Sequence, residues 1–233
     1  MNPYLATVLT FAVALVFLRL MDFFAQHGFI ESKLSRKFIH IGTGPLFVLC
    51  WLMFPDKPIA RYLAALVPLL ITVQFVLVGT ALLKDEAAVQ AMTRNGDPQE
   101  ILRGPLFYGI MFILLTTIYW KDSPIGITAL MMMCGGDGIA DIVGRRVKLP
   151  KLFWSHEKSV AGSLSVFAGG ALLTALIIYI YVSVGIFAAP FHTYLFPICL
   201  IALGGMLVES LPFKDVDNIT LTLAAAVIGH LVF

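Results

Sequence analysis

Eight stretches of the chain are almost wholly apolar, and charges, prolines or turn residues bound each of them. They run approximately over 5–24, 38–54, 60–83, 106–120, 125–143, 160–188, 194–208 and 219–233. Crossing about 30 Å of hydrocarbon takes roughly 20 helical residues. The pattern therefore predicts an all-α fold, a polytopic integral membrane bundle of about seven or eight transmembrane helices. The fourth, seventh and eighth stretches are short for a full span. No linker or repeat divides the sequence, so residues 1–233 read as one domain.

The polar positions between the stretches give the bundle a direction. Thirteen cations (Arg19, Lys33, Arg36, Lys37, Lys84, Arg94, Arg103, Arg145, Arg146, Lys148, Lys151, Lys158 and Lys214) fall on one side, and Lys57, Arg61 and Lys121 on the other. Positive charge stays on the side from which a membrane protein is inserted. The rich side is thus expected to be cytoplasmic or stromal, with both termini on the opposite face. Most acidic residues lie on the rich side too, where the loops are longer.

One apolar stretch breaks its own pattern. The run ITALMMM leads into CGGDGIADIVGRR, which puts Asp137 and Asp141 at bilayer depth, four residues apart on one helix face. A carboxylate pair of this kind can hold a hard cation such as Mg2+. Gly135, Gly136 and Gly138 would let a ligand approach the backbone, and Arg145 and Arg146 could clamp phosphate oxygens about one turn further on. A structural Asp–Arg pair locking two helices is the plainer alternative.

Composition agrees with the apolar pattern: 59% hydrophobic, 13% charged, mean hydropathy +0.91. A formal charge of +2 argues against nucleic acid as a partner. Cys50, Cys134 and Cys199 are scattered through apolar segments, with no spacing for a disulfide framework or zinc. The first apolar stretch lacks a basic region and cleavage site before it, so it reads as a retained span. That fits a bacterial inner-membrane protein or the mature form of a plastid one.

Four other polar clusters sit on the cation-rich side. In RKFIH, residues 36–40, Arg36, Lys37 and His40 lie within about one helical turn, and His40 leads into Gly42, Gly44 and Pro45, where the helix is expected to be irregular. TRNGDPQEILRGPL, residues 93–106, combines turn chemistry at Asn95-Gly96-Asp97-Pro98 with a short helix carrying Glu100 and Arg103. HEKSVAGS, residues 156–163, opens the sixth span, with Lys158 and Ser159 before a helix start able to bind an anion, or with a lysine simply snorkelling to headgroups. ESLPFKDVDN, residues 209–218, puts Glu209 at the end of the seventh span and Asp217-Asn218 at the mouth of the eighth. Together the clusters suggest a polar pocket that opens on one face of an apolar bundle. An intramembrane carboxylate site in a transporter is a competing reading. Glycine pairs at 169–170 and 204–205 mark close packing, within one chain or between two.

Taken in order, these motifs resemble those of the phytol kinase branch of the membrane-bound polyprenol kinases, which includes farnesol and dolichol kinases. RKFIH resembles the family's Arg-Lys-x-x-His motif, RNGDPQEILRGPLFY its GDP loop, GDGIADIVGRR and KSVAGS its nucleotide-site motifs, and ESLP with DN its C-terminal one. Asn95 and Ile101 depart slightly from the family pattern. The Gly-Asp and Lys-Ser motifs are shared more loosely with membrane cytidylyltransferases, which would make a CDP-lipid instead. The resemblance implies CTP-dependent phosphorylation of an isoprenoid alcohol, phytol or geranylgeraniol, feeding prenyl-lipid and tocopherol salvage. It implies Mg2+ on Asp137 and Asp141, with Gly136, Gly138, Arg145, Arg146, Lys158 and Ser159 at the nucleotide. Arg36, Lys37, Arg94, Glu100, Glu209, Asp217 and Asn218 are further nucleotide candidates, and Asp97, His40 or Glu209 would take the hydroxyl proton.

Overall fold

The computed structural model describes residues 1–233 except Arg94, Lys214 and Asp215 and the side chains of Ser32 and Lys33. All eight apolar stretches are helical. In chain order the helices are α1 (Pro3–Gln26), α2 (Ser32–Cys50), α3 (Ile59–Gly79), α4 (Glu86–Met92), α5 (Gly104–Ile118), α6 (Pro124–Met131), α7 (Gly138–Arg146), α8 (Val160–Ser183), α9 (His192–Glu209) and α10 (Asp217–Val232). A six-residue π turn, Met132–Asp137, joins α6 to α7. Among the described residues six spans are long and apolar enough to cross a membrane, α6 through α7 counting as one and α5 extended back to Pro98 as another. The protein is an all-α polytopic membrane protein. One element departs from the expected pattern: Lys151–Leu152 (β1) and Ser155–Ser159 (β2) form a small antiparallel hairpin between α7 and α8.

Local chemistry sets the helix ends. Asn2 accepts the Tyr4 N–H at 2.9 Å with Pro3 in the first turn, and Ser123 caps Ile125 ahead of Pro124. Both are Ncap-then-proline starts, in which the missing proline donor costs nothing. Ser159 accepts the Gly162 N–H at 3.1 Å and starts α8 immediately after the hairpin.

The chain gathers into two compact units, residues 1–117 and 118–233. In the first, α1 packs on α2 and α3 and is otherwise exposed along its length. The helix α2 runs unbroken through Gly42, Thr43, Gly44 and Pro45, where irregularity was expected. Gly42 is there for space: a Cβ on it would lie 2.6 Å from the Phe17 ring.

In the second unit the α6–π–α7 segment is central. Of its most apolar window 72% is buried, against 6–39% for the other five spans, because α8, α9 and α10 surround it. Glycines set the contact distance. A Cβ on Gly135 would lie 2.8 Å from the Gly169 carbonyl oxygen, and one on Gly169 would lie 2.6 Å from that of Gly135. Gly170 and Gly205 make room for Met132, and Gly204 for Ile228, so both glycine pairs are used inside the chain. Gly169→Ala must push backbone against backbone. It is expected to destabilise the protein by about 1–3 kcal/mol, read as a lower midpoint of thermal unfolding in detergent.

Candidate functional site

Four chain-distant elements meet at one end of the second unit. The π turn ends on Asp137, β2 carries Lys158, α9 ends on Glu209, and α10 begins at Asp217. Lys158 Nζ donates to Glu209 Oε1 at 2.5 Å and to Asp217 Oδ2 at 3.2 Å. One oxygen each from Asp137, Glu209 and Asp217 lies within 4.8 Å of the other two. Glu209 is 5% exposed, so its charge has been taken out of water and depends on the ammonium beside it. The lysine is thus held inward, not snorkelling to headgroups.

Burial pulls the pKa of Lys158 down, but the charges and hydrogen bonds of Glu209 and then Asp217 outweigh that, leaving it above the ordinary value of 10.5. A raised pKa stabilises the fold fully below the unfolded value and loses that contribution as pH rises through the folded one. The contribution of Lys158 to stability is therefore expected to hold through neutral and mildly alkaline pH and to be lost above about pH 10.5. Measured against pH, a Lys158→Met variant should lack that alkaline limb.

The donor set suits a hard cation. Three carboxylates offering oxygens at short mutual reach, one of them deeply buried, are the ligand type that Mg2+ takes, with water or phosphate completing the shell. Asp141 stands outside this group: it accepts from Arg145 Nε at 2.7 Å, one helical turn on, with the Arg145 side chain 61% exposed. Arg146 is exposed. Ser159 Oγ is engaged as the α8 cap, and Gly136 and Gly138 are buried, Gly136 facing Val166 on α8. Asn218 follows Asp217 in the first turn of α10.

The remaining candidates lie in the first unit. Arg36 and Lys37 are half-buried at the start of α2. The His40 ring lies 4.5 Å from that of Tyr108 on α5, whose hydroxyl donates to the His40 carbonyl at 2.6 Å. Asp97 caps a short 3-10 turn, Pro98–Leu102, by accepting the Gln99 N–H at 2.9 Å. Glu100 accepts from Asn95 Nδ2 at 2.9 Å, and Thr93 Oγ1 accepts the Gly96 N–H at 3.0 Å. Gly96 has φ +78°, a conformation that favours glycine. The GDP loop thus braces itself. Beside it an open cavity of about 470 Å³ has walls that mix Val78, Leu83 and Val89 with Lys84, Gln90 and Thr93. Arg94 lies outside the described residues.

Two contacts escaped the sequence. Tyr108, inside the GPLFY part of the loop motif, supports His40. Trp154, in the hairpin turn, donates from Nε1 to the Ser210 carbonyl at 3.1 Å, immediately beyond Glu209. No sequence signal joins Trp154 to Ser210, because a turn tryptophan in a membrane protein reads first as an interface residue.

A helical membrane bundle with carboxylates and an ammonium gathered at the ends of its spans is a polytopic membrane protein with a polar cluster in an apolar frame. Over 98% of its length the chain is 42% identical to "Probable phytol kinase 1, chloroplastic" of Oryza sativa subsp. japonica, covering 73% of that protein. It is 41% identical over 97% of its length to "Probable phytol kinase, chloroplastic" of Zea mays, covering 76%, and 37% identical over 98% to "Phytol kinase 1, chloroplastic" of Arabidopsis thaliana, again covering 76%. The chain belongs to the phytol kinase family, and with it to the phosphotransferases. The family that the motifs resemble is the one that whole-chain identity shows. No family model and no solved structure matches the chain.

Proposed function

We propose that the protein transfers the γ-phosphoryl group of CTP to the hydroxyl of phytol, giving phytyl monophosphate and CDP. The observation that carries this reading is the cluster of Asp137, Glu209, Asp217 and Lys158: three oxygen ligands and one ammonium, assembled from four elements in a family of phytol kinases. Phosphoryl transfer asks a protein mainly for alignment and charge stabilisation, which such a cluster can supply.

In this reading Asp137, Glu209 and Asp217 hold Mg2+, with Asp141 close by on the same helix. When bound, the ion neutralises triphosphate charge. Lys158, Arg145 and Arg146 add positive charge along the phosphates, and Ser159 and Asn218 contribute to holding the nucleotide. The alcohol enters from the membrane with its hydroxyl at the cytoplasmic or stromal face. Its oxygen bonds to the γ-phosphorus as the bond to the β–γ bridging oxygen breaks, and the electron pair leaves with CDP. The hydroxyl proton leaves to a base, and Asn, Gln or Ala substitutions at Asp97, His40 and Glu209 sort these three candidates by kcat. The setting is a plastid-type or bacterial inner membrane.

The deciding assay supplies purified protein in proteoliposomes with labelled CTP or ATP and a panel of phytol, geranylgeraniol, farnesol and dolichol. Phytyl monophosphate and CDP are the expected products. Pyrophosphate and a CDP-lipid would make the protein a cytidylyltransferase instead, and solute flux without nucleotide would make it a transporter.

A further inference from the structure

The hairpin between α7 and α8 presents its turn to the outside. Phe153 is 89% exposed and Trp154 41% exposed, their rings meeting edge to face at 4.3 Å. Such exposure in the middle of a connection is costly in water and favourable against lipid. The neighbouring chain adds Val147 and Leu149, both nearly half exposed, and Leu211 and Phe213 follow Ser210 with similar exposure.

Three span ends fix the height of this turn. Phe153 lies midway between Arg146, where one span ends, and Val160, where the next begins. The Trp154 indole is bonded to the Ser210 carbonyl and also reaches Ser210 Oγ at 3.2 Å, one residue past the end of the α9 span. A turn tied to the end of a span lies at the level of the headgroups, where aromatic rings are favoured. The charges around it have one dominant sign. Arg145, Arg146, Lys148 and Lys151 are exposed on the same connection, with Glu157 the acidic residue within it. Lys151 Nζ donates to the Glu157 carbonyl at 2.9 Å and stays at the surface. Exposed aromatic side chains on a cation-rich connection match a surface of anionic lipid.

We propose that the Phe153–Trp154 turn is a docking surface for the anionic headgroup layer of the surrounding bilayer, with the two rings in the interface and Lys148 and Lys151 against lipid phosphates. Because β2 runs from this turn to Lys158, lipid contact holds the strand that carries the lysine over Glu209 and Asp217. The docking rests on the spans and the turn alone, and its test does not depend on turnover.

Full-length protein is reconstituted in zwitterionic vesicles and in vesicles containing anionic phosphatidylglycerol, each prepared with acyl chains brominated close to the headgroup. Trp51 and Trp120 are buried, and subtracting the spectrum of Trp154→Phe isolates the signal of interest. Quenching of Trp154 several-fold stronger in the anionic vesicles is the expected result, with Lys148→Gln/Lys151→Gln reducing it to the zwitterionic level. Quenching by aqueous iodide without quenching by brominated lipid overturns the proposal, and so does equal lipid quenching in the two vesicle types. A kinase assay on the same vesicles reports separately on the phosphotransfer reading, so either result can fail alone.

Discussion

Replacing Asp137 by asparagine is expected to lower the rate of phytol phosphorylation by about 10²–10³-fold, the scale of losing one preorganised charge-stabilising group. The amide keeps the size and much of the hydrogen-bonding capacity of the carboxylate, so the fold should survive, but one of three negative oxygen ligands becomes neutral. The informative comparison is Asp141→Asn. Asp141 is paired with a largely exposed arginine at i,i+4, an arrangement contributing only about 0.3–0.5 kcal/mol. Its loss should therefore stay within about tenfold. Initial rates taken over a range of Mg2+ concentrations should show the requirement for metal shifted upward in the Asp137 variant and nearly unchanged in the other. Equal losses in the two would return the metal to the pair Asp137 and Asp141, and a normal rate in Asp137→Asn would remove Asp137 from the site.

Lys158→Met should cost stability as well as activity. The lysine side chain is 19% exposed and its partner Glu209 6%, and removing one member of a buried pair strands the other charge, at about 3–5 kcal/mol. The second carboxylate, Asp217, loses the same counter-charge. Thermal unfolding at neutral pH should show this directly, and turnover should fall at least about 10²-fold. Lys158→Met with Glu209→Gln tests the cause: neutralising the stranded acid should restore part of the lost stability but none of the activity. If Lys158→Met melts like the parent, the ammonium is not what offsets the burial of Glu209. Lys158→Arg should keep most of the stability and still turn over slowly, because a planar guanidinium cannot occupy the place of a compact ammonium.

The spans were legible because a membrane helix announces itself by composition over a window longer than any other apolar element. The seventh stretch, short in the sequence, is an 18-residue helix that still qualifies as a span, whereas the eighth is a shorter helix of 16 residues. The fourth gains length from the 3-10 turn that precedes it. What the sequence ranked least well was contact between chain-distant groups. Local spacing made Asp141 the natural companion of Asp137, whereas folding groups Asp137 with Glu209 and Asp217 from other helices. Glycines around Asp137 announced closeness without saying to what, and at Gly135 the neighbour is the backbone of α8. The hairpin was hidden because its strands are two and five residues long, too short for alternation to register.

The π turn at Met132–Asp137 has a consequence that no hydropathy profile carries. A regular helix advances about 100° per residue, and a wide turn takes in one residue more than an α turn. Residues before and after it are therefore out of phase with each other. The incoming half can be greasy all round, as α6 is, buried at Gly126, Ile127, Thr128, Ala129, Leu130 and Met131. The wide turn can then present Asp137, its last residue, to the ends of α9 and α10 without rotating the buried half out of its seat. Six wide-turned residues act as a coupling between two gears, one cut for packing and one for charge.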